Sequence, residues 1–529
     1  MKVCIKTICA LLALLLLASS VVLFAGCGPT KTPAEEDQNG DTQNGETPEE
    51  NVVKTGLEKY PKNSKYYNYA QSLNYVGGYD EGAKALRNEI LNAANTADIY
   101  DLTGKKVTKI PKETSVSTLK KTLQRAVSGD VILLERGGLW RIGCDSNTYL
   151  NAGVTLGAYG TGEKPKLYGS TKNYAGDEGW ARSADNANIW TITLAKNQDV
   201  GNIVFDEIAC LGVHMWSLDD VKKTYDFYFN SSTRVLSLYY PDDLTADFTD
   251  IEISQRGETL QMRDNTVLDN ICLRYSGAFA VNVGHQINNV TITNCEIGFI
   301  GGALQMYEGN RPVRYGNGIQ LGMGSTNSKI SKNWVYQCYD AGITFQSWNT
   351  GRETNYHGVE FSDNLIEFCD YGIEYFTTGI DCEGGSYSDY KNIHLTGNVI
   401  RFSGYEWSFL QRPDKWMNSH IRGGQWAWVP DTEDFLISGN VFDCSRANII
   451  FWWWHDPDRE KPYIHPEPHA GLTVRDNTYF QAAMPDRRCL TFHVNKPIYA
   501  EDEAGVRAAL AHFDSAPTAV TWVERLCRE

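Results

Sequence analysis

Ten cysteines follow Cys27, at 144, 210, 272, 295, 338, 369, 382, 444, 489 and 527, and no two form a Cys-x-x-Cys pair. That absence argues against a zinc ribbon. Basic residues are also in deficit, with 49 Lys and Arg against 65 Asp and Glu and a net charge of −16 over 529 residues. Such a field excludes nucleic acid as a partner, and it disfavours a strongly anionic polysaccharide unless a local basic patch overrides the mean. From Gly28 to Gly56 apolar residues are almost missing, while Glu35, Glu36, Asp37, Asp41, Glu46, Glu49 and Glu50 accumulate. A stretch of that kind cannot bury enough surface to offset its ordering entropy, so residues 27–56 are expected to be a disordered acidic tether.

What precedes the tether has the layout of an export signal. Lys2 and Lys6 supply charge, Ala10 to Phe24 an apolar run, and small Ala25 and Gly26 lead into Cys27. Residues 1–26 resemble a bacterial lipoprotein signal, which would make Cys27 the lipidated N-terminus, a membrane anchor for an extracytoplasmic, surface-exposed protein. The alternative is an uncleaved anchor helix, against which the run is short for a bilayer span.

The remainder repeats one phrase seven times: an apolar residue, two polar ones, an Asn, one more residue, and a second apolar residue. The anchors are Asn270, Cys295, Asn333, Asn364, Asn398, Asn440 and Asn477. Three residues ahead of them stand Val267, Ile292, Ile330, Phe361, Leu395, Ile437 and Val474; two residues beyond stand Cys272, Ile297, Val335, Ile366, Ile400, Phe442 and Tyr479. A fixed local pattern at irregular spacing marks coils of a solenoid joined by loops of variable length. Cys338 and Cys369 each lie five residues past an anchor, which predicts stacked small interior residues, with exported disulfides as the alternative.

Around these coils the pattern changes. Ser115 to Val127 carries Leu119, Leu123 and Ala126 at helical spacing and leads into Asp130-Val-Ile-Leu-Leu, so a helix is expected to cap the first coil. Residues 57–171 are assigned to this cap and the first coils, with Tyr60 to Pro111 wrapping the base. Residues 172–258 have denser strand patterns and predict a β insertion. Residues 259–495 form the coils, and 496–529, with an Ala-rich helix near Glu503 to His512, the C-terminal cap.

The helix, the Gly-Asp-Val-Ile-Leu entry, the Tyr-Gly-Thr-Gly turn and the Asn-anchored coils resemble the right-handed parallel β-helix superfamily, which includes pectate-lyase-like and polygalacturonase-like enzymes. The resemblance spans roughly 115–495 and implies an all-β, single-stranded parallel β-helix. No polygalacturonase-type set of Asn-Thr-Asp, Asp-Asp and Gly-His-Gly is present, nor a pectate-lyase calcium and Arg signature, so no catalytic residue carries over.

Strand alternation supplies candidates instead. It predicts an outward row of Gln320, Thr344, Glu374, Ser408 and Ile450, in which Glu374 is the only acid. Segments beyond these strands carry Trp348, Asp381, Glu383, Arg412, Lys415, Trp416, His420, Arg422, Trp426, Trp428, Trp452, Trp453, Trp454 and His455. Tryptophan faces suit pyranose rings. Glycoside hydrolysis takes two carboxyls, for which Glu374 with Asp381 or Glu383 is the leading pair and Asp370 a reserve. Gln320, Trp348, Arg412, His420, Arg422, Trp426, Trp428, Trp452 and Trp454 are the expected substrate contacts. The alternatives are a lyase on uronate-containing glycans, using the Arg412, Lys415, His420 and Arg422 cluster with acid-bound calcium, and a non-catalytic glycan-binding protein. His465-Pro-Glu-Pro-His469 fixes no third ligand, so no metal site is assigned and no cofactor is required, calcium apart. The partner is a polysaccharide or oligosaccharide, and the chain is expected to be a monomer.

Overall fold

The computed structural model describes residues 75–145, 148–206, 210–347, 354–377, 389–425, 432–453, 471–483, 488–491 and 497–523. Short β segments recur and stack in parallel, each on the next coil, to build two long sheets. The first runs from Val107–Ile110 through Val131–Glu135, Thr155–Tyr159 and Val267–Asp269 to Leu472–Arg475. The second is folded along its length, because Trp334–Ser347 and Leu365–Thr377 pass continuously from one face to the next through Gln337 and Phe368, both at φ 53°. The chain is a right-handed parallel β-helix.

The asparagine anchors explain the repeat physically. Asn333 Nδ2 donates to Asn364 Oδ1 at 3.0 Å, Asn364 to Asn398 at 2.9 Å, Asn398 to Asn440 at 3.0 Å and Asn440 to Asn477 at 3.0 Å. Each amide also donates to a main-chain carbonyl of the preceding coil, as Asn398 does to Phe361 O at 2.8 Å. The ladder ends on Asp514, which accepts from Asn477 Nδ2 at 2.9 Å. A side chain with donor and acceptor at a fixed corner satisfies main-chain groups that would otherwise be buried unpaired, at about 1–3 kcal/mol each.

Flanking positions align as expected in six coils: Ile292, Ile330, Phe361, Leu395, Ile437 and Val474 are in register, and so are Ile297, Val335, Ile366, Ile400, Phe442 and Tyr479. The first coil is one residue out of phase. Leu268 pairs Ile292 and Leu273 pairs Ile297, so Ile271, and not Asn270, holds the anchor position. Asn270 instead adopts φ 66° and accepts from Lys164 Nζ. Cys338 stacks directly on Cys369, and the seven described cysteines with placed side chains are free and buried.

The helix Val116–Arg125 is N-capped by Ser115, whose Oγ accepts from Thr118 N at 3.2 Å, and it buries Leu119 and Leu123 against the first coils. The segment 172–258 leaves between the coil of Lys166–Tyr168 and that of Cys272–Ser276, which pair directly across the gap. It folds into a five-stranded and a three-stranded sheet with a core of its own around Phe205, Tyr225, Phe227 and Leu236.

Two placements differ from expectation. Of the described residues preceding Pro111, Val107–Ile110 lies at the base as the edge strand of the first sheet, but the helix Asp80–Leu91 packs Ala83 and Ile90 on Leu365 and Val399, well along the stack. Coils also continue beyond 495, since Ala519–Val523 pairs with Thr478–Ala482 after the helix Glu503–Leu510 has buried Val506 and Leu510 in the core. Among the described residues no helix is long and apolar enough to cross a membrane; the signal, the tether and Cys27 lie outside them.

Candidate functional site

Register, which neighbouring coils impose, defines the outward row on the third face. It reads Asn282, Gln320, Thr344, Glu374, Arg422 and Phe451. Ser408 and Ile450 do not belong to it. Residues 403–418 leave the sheet through Gly404, at φ 79°, and run through two short 3-10 turns, Phe409–Gln411 and Lys415–Met417, before the strand Ser419–Gln425 resumes the stack. Trp407 therefore packs on Tyr339 outside the coil. Ile450 pairs Ile421 and points inward, and Trp452, two residues on, is fully buried beside Gly423, where any Cβ would collide with its indole. Trp452 is a core residue and not a substrate contact.

Glu374 emerges from this row into a cluster of charges. Arg422, its partner on the next coil, donates from Nη1 to Glu374 Oε1 at 2.8 Å. Arg422 also lies over Tyr371 at 4.3 Å. At the neighbouring corner the chain bulges between Cys338 and Ala341, placing Asp340 beside Asp370. Arg412 holds both: Nη2 stands 3.4 Å from Asp340 Oδ1, Nε 3.0 Å from Asp370 Oδ2, and Nη2 3.1 Å from Asp414 Oδ2. Glu406 is buried nearby, with Ser408 Oγ donating to its Oε1 at 3.1 Å.

Five carboxyls thus share two guanidinium groups, and the acids outnumber the cations. Among the described residues Asp340 Oδ1, both Asp370 oxygens and Glu406 Oε2 receive no hydrogen bond. Burial, only partly opposed by Arg422 and reinforced by Asp340, pushes Glu374 up to about 7. Glu406 is likewise pushed to about 7, by burial against the pull of Arg412. Asp340 and Asp370 are raised for the same reason, while on Asp414 burial is outweighed by Arg412 and the shift is downward. The cluster can hold a proton near neutrality, as a general acid requires. It opens outward at Asp340 and Arg422, whose side chains are 21% and 19% exposed, whereas that of Glu374 is only 4% exposed.

The predicted contacts divide accordingly. Arg422 stays at the site. Arg412 is enclosed by Asp340, Asp370 and Asp414 and supports the acids instead of meeting solvent. His420 is wholly buried, hydrogen-bonded through Nδ1 to Ser403 Oγ at 2.9 Å and held down to about 3 by burial, so it is neither a substrate contact nor a base. Gln320 is in the row but buried, accepting from Asn317 at 2.8 Å and Gln346 at 2.7 Å. Trp348, Asp381, Glu383, Trp426, Trp428 and Trp454 lie outside the described residues, as do His465 and His469. Among the described residues no three His, Cys, Asp or Glu side chains are placed to hold a metal.

Asp340, Glu406, Asp414 and Trp216 escaped sequence reasoning. Asp340 gave no signal because it sits on a bulge, where alternation fails. Trp216, in the insertion, is 37% exposed and lies 4.3 Å from the His214 ring. Arg314 joins it to the cluster: its guanidinium is 6.0 Å from Trp216 and 4.6 Å from Tyr339, whose ring also carries Arg412 at 4.8 Å. Gln411 Oε1 accepts from Arg314 Nη1 at 2.7 Å and from His214 N at 3.4 Å, which fixes the insertion to this corner.

No family model matches the chain, and no curated protein matches it. Among solved structures, a GH136 lacto-N-biosidase from Eubacterium ramulus is 11% identical over 79% of this chain and 68% of its own, with a TM-score of 0.38. An alginate lyase from Paenibacillus sp. is 11% identical over 79% and 98%, with a TM-score of 0.33. A polygalacturonase from Erwinia carotovora ssp. carotovora is 11% identical over 80% and 96%, also with a TM-score of 0.33. Likenesses this distant carry no argument about activity; the fold stands on the strand pairing and the site on its own geometry.

Proposed function

We propose that this chain is a glycoside hydrolase acting on a polysaccharide or oligosaccharide, with Glu374 as general acid and Asp340 as the second carboxyl. The observation that carries the reading is Glu374 itself: a carboxyl on the outward row, raised to about 7, hydrogen-bonded to Arg422 and acted on by Asp340. Glycosidic cleavage takes two carboxyls, one protonated to assist the leaving oxygen and one to serve as nucleophile or to activate water; Asp340, though also raised by burial, is the more exposed of the pair and faces Arg412. Trp216, linked to the cluster through Arg314 and Tyr339, would serve as an aromatic platform for a more distant sugar unit. The segments 348–353 and 426–431, which carry Trp348, Trp426 and Trp428, and 378–388, which carries Asp381 and Glu383, follow strand ends that are in register, Ser347, Gln425 and Thr377, which supports a shared cleft. Export, anchoring at Cys27, a monomeric state and calcium as an optional aid complete the proposal, on the sequence alone.

A lyase is less well supported, because Arg412 and Arg422 are occupied by carboxylates and His420 is buried, which leaves only Lys415, over the Phe409 ring at 5.3 Å, of the four cationic groups it would use. Glu374→Gln is expected to lower kcat on a responsive glycan by about 10²–10⁴-fold with little change in KM. Trp216→Ala should mainly raise KM on oligosaccharides and leave a short chromogenic glycoside less affected. Reducing-sugar release across a glycan panel reads both, and unchanged turnover by Glu374→Gln would remove the acid.

A further inference from the structure

One cleft shares no residue with the acid cluster. It encloses about 860 Å³ where the insertion meets the first coils, between Cys144, Asp145, Arg256 and Gly257 on the coil side and two loops of the insertion, 195–198 and 231–234. That volume is within the range of about 300–1,000 Å³ typical of small-molecule sites, yet the lining is polar, unlike the apolar walls that hold most cofactors.

Its charge is opposite to that of the whole chain. Lys196, Arg234 and Arg256 converge on it, and Asp145 is the one acid in its lining. Asp145 is already shared, with Lys120 Nζ at 2.8 Å and Lys196 Nζ at 3.9 Å from Oδ2. Lys196 is steadied by donating to Cys144 O at 2.9 Å, Arg234 Nη1 by donating to Ala195 O at 3.1 Å, and Arg256 Nε by donating to the Tyr315 hydroxyl at 3.2 Å. Among the described residues neither arginine has a carboxylate at ion-pair distance; Asp199 acts on Arg256 only from farther away and already accepts from Leu304 N at 2.7 Å. In a protein of net charge −16, two arginines left with spare donors in one recess are a local reversal of sign.

We infer that this recess binds a saccharide bearing an acidic group, its oxyanion held by Arg234, Arg256 and Lys196 and its hydroxyls by the amides and hydroxyls of Asn197, Gln198, Ser231 and Ser232. Arginine's planar fork suits a carboxylate or sulfate, and its positioning by main-chain and phenol oxygens limits the entropy lost on binding. A single acidic unit fits better than a long polyanion, which the acidic remainder of the surface would repel. The inference does not depend on the hydrolase reading, since no residue is common to both sites.

Titration calorimetry on the full chain, in low salt, tests it with three probes: glucuronate, glucose and inorganic sulfate. Glucuronate is expected to bind at least tenfold more tightly than glucose and more tightly than sulfate. The double variant Arg234→Gln and Arg256→Gln should weaken glucuronate at least tenfold without moving the melting temperature, while Glu374→Gln should bind it as the parent does. Equal affinity for glucuronate and glucose, or parental binding by the double variant, overturns the site. Sulfate binding as tightly as glucuronate overturns its saccharide half. If the double variant melts early, Lys196→Gln alone should still weaken glucuronate severalfold, and its failure to do so overturns the site as well. Loss of turnover in Glu374→Gln together with intact glucuronate binding keeps the two readings separate.

Discussion

Two arginine–carboxylate clusters sit on adjacent faces of the same coils and are built to different ends. On the second face Arg401 donates from Nε to Asp443 at 2.7 Å and from Nη1 to Glu367 at 2.9 Å, and it also reaches Asp80. Arg87 adds a bond to Glu367 at 2.6 Å, and Asp443 accepts from Gly78 N at 2.8 Å. Acids and cations there are nearly matched, and the bonds tie the helix Asp80–Leu91 to the coils. On the third face the acids outnumber the guanidiniums, and four carboxyl oxygens receive no hydrogen bond among the described residues. A matched network is a clamp. An unmatched one is costly to fold and retains a proton, which is the state in which a carboxyl can act as an acid.

The comparison is broken most severely by removing a cation from each side. Arg401→Met leaves Asp443 and Glu367 buried with part of their partners gone, and should lower unfolding free energy by about 3–5 kcal/mol in urea while the surviving folded protein turns over normally. A loss below about 1 kcal/mol would deny that the cluster is a clamp. Arg422→Met acts differently. It removes the cation that opposes burial at Glu374, so the carboxyl should climb by about 1–3 units above its present value of about 7. The alkaline limb of the kcat/KM profile should move up by the same amount, and a limb that stays in place would show that another group titrates there.

Sequence reading reached one of these clusters and missed the character of both. The coils were legible because an interior Asn ladder imposes an identity on one position and apolar partners on two others. Even so, Asn270 misled by one residue, since a lysine contact can satisfy an Asn as well as a ladder can. Glu374 was legible because alternation holds on the uninterrupted strand Leu365–Thr377. Ser408 was not excluded, because Glu406-Trp-Ser-Phe-Leu alternates in a segment that the fold uses as an excursion. Trp452 looked exposed because three tryptophans stand in sequence, and only the missing side chain of Gly423 on the adjoining coil reveals the space it fills. Asp340 and Trp216 depend on a bulge and on an insertion docking from a distance, neither of which local pattern encodes.

The smallest expected effect probes the excess of acid directly. Glu406 has an ordinary value of 4.5 and is raised to about 7 in the folded chain, so the native state binds a proton that the unfolded chain releases between those values. Its contribution to stability is therefore complete below about 4.5 and is lost as pH rises through about 7. Glu406→Gln keeps an acceptor for Ser408 Oγ and removes the ionisation, so the variant should lose no stability over this window on that account. His420, held at about 3, contributes a slope of the opposite sign at acid pH, but it does so equally in both proteins and cancels in the difference. Urea unfolding of parent and variant at pH 5, 6, 7 and 8 should show the variant gaining on the parent by on the order of 1–2 kcal/mol from one end to the other, a discounted figure for a carboxyl that shares its field with Asp370 and Arg412. A difference that stays constant with pH would mean that Glu406 is already ionised, and that the third-face cluster is as well matched as the clamp beside it.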